Sequence, residues 1–135
     1  MRWVYDTGGR EKYYKAVHVG DCVVRAIAIA NSLDYKFTYK IVKIYNGGET
    51  PRNGVWEYIY KELLRDMGWK YVNLCDRKLE PKGLLMNEDN LPCDKTIICS
   101  IEKHLVAVVD GVVHDTFDSS HKGTQLLRGY WVRKE

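Results

Sequence analysis

Apolar and polar positions change their spacing twice along this chain, and each change marks a different kind of element. The run CVVRAIAIANSL is almost wholly apolar, which predicts a buried helix from Cys22 to about Leu33 with Asp21 as its N-cap. The next stretch, DYKFTYKIVKIYNGG, fits two periods. Tyr35, Phe37, Tyr39 and Ile41 alternate like a strand, whereas Phe37, Ile41, Ile44 and Tyr45 share one helical face. Gly47-Gly48 after the run resembles a helix stop, so helix is the favoured reading. In GVWEYIYKELLRDMGW, Val55, Ile59, Leu63 and Met67 recur every fourth residue. That is an amphipathic helix, ended by Gly68.

From Thr96 onward the segments TIICSI, HLVAVVD, VVHDTFD and LLRGYWV are rich in Val, Ile and aromatic residues, which predicts strands. Asp110-Gly111 supplies the two-residue turn favoured in tight antiparallel hairpins. Residues 73–95, with Pro81, Gly83 and Pro92, read as an irregular connection carrying one short strand near Leu84. Residues 2–16 read as a short exposed hairpin or extended arm around Gly8-Gly9. Helices first and strands last predict an α+β fold, N-terminal helices packed on a mostly antiparallel C-terminal β-sheet. The 135 residues, 45% hydrophobic, suit one domain with one core.

The helix start and the hairpin carry the chemistry. A thiol in the first turn of a buried helix faces unsatisfied backbone N–H groups and the positive end of the macrodipole. Both favour the thiolate, and the same amides can receive an oxyanion. If Asp110 and Gly111 form the turn, Val109 pairs with Val112, Val106 with Asp115 and His104 with Phe117. His104 and Asp115 are then diagonal neighbours on one face, roughly 7–8 Å apart between backbones. A thiolate at Cys22, a base at His104 and an orienting acid at Asp115 make a cysteine-hydrolase triad. Asp118 falls on the opposite face in this register and ranks below Asp115. Arg25, one turn after Cys22, has two readings: a contact for a substrate carboxylate, or a buried pair with Asp21 or another acid, which is the favoured one.

These residues also carry a resemblance. GDCVVRAIAIA followed by HLVAVVDGVVHDTFD resembles the small papain-like cysteine peptidases, in particular the compact branch related to bacteriocin leader peptidases and similar bacteriophage proteins. The similarity runs from about Gly20 to Trp131, and its specific parts are the Asp-Cys helix start and the His/Asp hairpin. It implies a papain-like fold, the chain order cysteine, histidine, acid that Cys22, His104 and Asp115 follow, and hydrolysis of a peptide or isopeptide carbonyl without a cofactor. It also implies a glutamine about six residues before the cysteine to bind the oxyanion, where this chain has Ala16. Either another donor serves, with His18 and Lys15 the nearest side chains, or the fold is kept with weakened catalysis. In the second case the chain is a protein-binding module, for example against a host system.

Composition narrows the alternatives. With 21 Lys+Arg against 18 Asp+Glu, the net charge of +3 does not require a polyanionic partner. The aromatic and basic interleaving in KYYK and YKFTYKIVKIY keeps nucleic-acid binding as a second alternative to the hydrolase. His114, Asp115, Asp118 and His121 are all competent metal ligands, but their spacing matches no zinc pattern and adjacent residues point to opposite faces, so no metal is assigned. Four cysteines without a CxxC pair read as free thiols of a reducing compartment. No apolar run approaches the roughly 20 residues that span a bilayer, and no signal-peptide core is visible. The expectation is a cytoplasmic protein, in the host bacterial cytoplasm if phage-encoded, acting on a protein or peptide substrate.

Overall fold

The computed structural model describes residues 1–15 and 20–134. Three helices lead: α1 (Cys22–Asn31), α2 (Tyr35–Tyr45) and α3 (Glu57–Asp66). The ambiguous aromatic run is helix because Asp34 caps it, its side chain accepting from the Phe37 N–H at 3.1 Å. At its other end Gly48 N–H returns to Lys43 O at 2.9 Å, with Gly47 and Gly48 both at positive φ.

The strands are β1 (Arg2–Tyr5), β2 (Trp69–Asn73), β3 (Leu84–Leu85), β4 (Thr96–Ile101), β5 (His104–Val109), β6 (Val112–Asp115) and β7 (Leu126–Arg133). They form one open, mostly antiparallel sheet in the order β1-β6-β5-β4-β7-β2, with β3 also paired to β7. The architecture is α+β. Among the described residues no helix is long and apolar enough to cross a membrane.

Two elements differ from the sequence expectation. The N-terminal segment is not a hairpin: β1 lies parallel to β6, Arg2 opposite Val112 and Tyr5 opposite Asp115. Its partner is more than a hundred residues away, so no local turn chemistry announces it. The segment after Gly68, to which the periodicity assigns no element, is β2, pairing antiparallel with β7 from Trp69–Arg133 to Asn73–Gly129.

Apolar side chains fill both faces of the sheet. On one, α1 supplies Val23, Val24 and Ile27, which meet Leu64, Ile98, Leu105 and Trp131. On the other, Ile97, Cys99, Val106, Val108 and Val113 pack with Met86 and Leu91 from the long connection. Gly83 is needed where that connection crosses β7: it sits at φ +97°, and a Cβ there would collide with the Leu127 carbonyl oxygen. Gly83→Ala is therefore expected to destabilise the fold by about 3 kcal/mol, read as a lower urea midpoint at unchanged slope.

Candidate functional site

Cys22 opens α1 and lies half-buried at the head of the helix. Asp21 occupies the N-cap position, but its side chain makes no capping bond to the helix. Instead its Oδ1 accepts from Arg25 Nε at 2.9 Å and Arg10 Nη1 at 3.1 Å, and its Oδ2 from the Tyr35 hydroxyl at 2.6 Å. The carboxylate expected to cap the helix is thus turned into the core, where charged donors compensate its complete burial. The N–H groups of the first turn are left without a side-chain cap.

The hairpin register is the one that Asp110-Gly111 dictates. Val109 faces Val112, Val108 faces Val113 and Ala107 faces His114, with Asp110 at φ 49° and Gly111 at φ 79°. His104, the first residue of β5, and Asp115, the last of β6, come together at the open end of the hairpin. His104 Nε2 lies 2.6 Å from Asp115 Oδ2. The other carboxylate oxygen accepts from Arg25 Nη1 at 2.6 Å and from the Thr116 N–H at 2.7 Å. Nε2 is committed to the acid. Cys22 and His104 border the same cleft, close enough for each to influence the other's protonation. Phe117, its ring centroid 5.3 Å away, covers the imidazole from the loop after β6.

The electrostatics follow from these contacts. Burial raises the Cys22 thiol, but the hydrogen bond and charge of His104, the Leu105 backbone and the Arg25 guanidinium outweigh it and leave the thiol below its ordinary value. Burial lowers His104, yet Asp115 and Cys22 more than reverse this and carry it up to about 9. Asp115 is raised by burial and pulled down further by His104, the Thr116 N–H and Arg25, to about 2. The lowered thiol and the raised imidazole both favour a thiolate beside an imidazolium that a carboxylate holds from behind. Such a pair offers a nucleophile and, within the same contact, a proton donor for a leaving group.

The pair opens on a cleft of about 500 Å³. One wall is the loop that follows α2, where Asn53 bridges Gly20 in parallel register and Val55 and Trp56 lead into α3. Tyr60, Ile101 and Leu105 supply further apolar wall, and Lys103 and Arg128 also border the cleft. Nothing in the local sequence marks Asn53, Trp56, Tyr60 or Arg128 as site residues. They border the cleft only because α1 begins beside that loop and beside the open end of the hairpin.

No protein-family model, curated protein or solved structure compared with this chain matches it.

The remaining expected site residues have other placements. Arg25 is buried and spans Asp21 and Asp115, outside the cleft lining, so its guanidinium is engaged within the protein rather than offered to a substrate carboxylate. The acid bonded to His104 is Asp115; Asp118 instead holds the following turn, accepting from the Ser120 N–H and hydroxyl and from the Lys122 N–H. Lys15 is exposed and does not line the cleft. His18 and Ala16 lie outside the described residues. The possible ligand set is dispersed as well: His114 pairs with Asp6 at 2.8 Å, away from Asp115 and Asp118. Among the described residues no group of three or more His, Cys, Asp or Glu could hold a metal ion.

Proposed function

We propose that this chain is a cysteine hydrolase of papain-like fold acting on a peptide or isopeptide carbonyl. In this mechanism the Cys22 thiolate attacks the carbonyl carbon. The oxyanion is received by first-turn N–H groups of α1 and by the side-chain amide of Asn53, which stands in for the glutamine absent at Ala16. The His104 imidazolium gives its proton to the leaving amine and then, as a neutral base, takes one from the water that releases the acyl group from sulfur. Asp115 fixes the ring so that Nδ1 faces the thiol. What supports this reading is the 2.6 Å contact between His104 and Asp115 on an imidazole that borders the same cleft as Cys22.

The chain's own cysteines provide the control. Cys99 is fully buried and its thiol is pushed far up, while Cys93 is raised by partial burial and by nearby Glu88, Asp94 and Asp89. Iodoacetamide at pH 6, followed by peptide mass mapping, is expected to modify Cys22 first, about a hundredfold faster than Cys93 or Cys99. Equal rates across the cysteines would remove the activated pair and the hydrolase with it.

A further inference from the structure

The cleft that Cys22 and His104 open onto has an uneven charge. Lys103 stands in the turn between β4 and β5, one residue before His104, at φ 54°. Arg128 arrives by a different route. Along β4, Ser100 pairs with Gly129 and Ile101 with Leu127, so Arg128 is the extra residue of a β-bulge on β7. A bulge takes one residue out of the ladder and re-aims its side chain, and this one puts Arg128 on the cleft border.

Both cations are exposed, and among the described residues neither has a carboxylate within ion-pair distance. The acid on the cleft itself, Glu57, is matched by Lys61 at 2.8 Å. Glu102, beside Lys103 in the turn, lines the neighbouring hollow with Arg128 and not this cleft. Much of the remaining lining is apolar, including Val55, Tyr60 and a Trp56 that is 73% exposed.

We propose that the cleft selects peptides bearing an acidic side chain next to an apolar residue, the carboxylate being read by Arg128 and Lys103 and the apolar residue lying against Trp56. This specificity rests on the cysteine-hydrolase reading and adds the substrate class to it. Two cations without ion-pair partners among the described residues, on the border of a largely apolar cleft, attract a carboxylate and repel a lysine, so discrimination comes from both signs. Arg128 and Lys103 take no part in bond making; they position the chain.

The test is a set of tripeptidyl vinyl sulfones built around leucine, in which each position in turn carries Glu or Lys, with Cys22 labelling rates read by intact mass. In at least one position the Glu probe is expected to label about tenfold faster than its Lys counterpart. The advantage fades in about 1 M salt. In the double variant R128E/K103E, which alters exposed side chains only, the preference is expected to invert. Equal rates for Glu and Lys at every position, or an unchanged preference in the double variant, would overturn the acid selection while rapid labelling of Cys22 left the hydrolase reading standing. Labelling of Cys22 no faster than of Cys93 by any probe would overturn both.

Discussion

His104→Ala is expected to slow alkylation of Cys22 at pH 6 by about a hundredfold or more and to abolish hydrolysis, with the fold retained. Without the imidazole, burial is the largest remaining influence on the thiol and it disfavours the thiolate. A thiol whose pKa lies at or above the ordinary cysteine value is ionised to less than about 1% at pH 6. The wild-type rate should therefore exceed that of the variant most at low pH and approach it above about pH 9, where any thiol ionises. A pH series of labelling rates for the two proteins checks this, and a constant ratio across the series contradicts it. On the proposed hydrolase reading, a pH–rate profile of the wild type is expected to rise with the thiolate and fall as His104 loses its proton near pH 9.

The same shifts fix how stability depends on pH. His104 rises from 6.5 to about 9, so its contribution is complete below about pH 6.5 and is lost as pH rises through about 9. Asp115 falls from 3.8 to about 2, so its contribution is complete above about pH 4 and is lost as pH falls through about 2. Both contributions are complete together between about pH 4 and 6.5.

What was legible in the sequence was whatever a local rule decides. Asp110-Gly111 fixes the hairpin register through turn geometry alone, and the register puts His104 and Asp115 on one face. The apolar run after Asp21 marks where α1 begins, and with it the placing of a thiol in its first turn. What was not legible depends on pairings between distant segments. The parallel addition of β1 to β6, the loop carrying Asn53 and Trp56 against Gly20, and the bulge that turns Arg128 onto the cleft have no local signature. Asp21 shows the limit from the other side. Its type and position suit an N-cap, but Arg10, Arg25 and Tyr35 offer a buried carboxylate more than the helix amides do; Arg25, one turn on, is a local partner that the sequence suggests, whereas Arg10 and Tyr35 come from other segments and cannot be read from the residue's own neighbourhood.

Arg25 is where fold and site meet, and Arg25→Met should show it by destabilising the protein by about 3–5 kcal/mol. The guanidinium joins two buried carboxylates, Asp21 at 2.9 Å and Asp115 at 2.6 Å, both with almost no exposure. Removing the cation leaves Asp21 with Arg10 and Tyr35, and Asp115 with His104 and the Thr116 N–H, so each carboxylate keeps part of its compensation but not all. Lysine restores the charge without the fork that reaches both acids, so Arg25→Lys is expected to recover less than half of the loss. Arg25 also helps to hold the Asp115 carboxyl down, and its removal should raise that carboxyl and move acid unfolding to higher pH. Urea midpoints at pH 6 and acid titrations of the three proteins measure these effects. A loss under about 1 kcal/mol, with an unmoved acid transition, would mean that the carboxylate behind His104 is held by its other partners and that Arg25 is a packing residue.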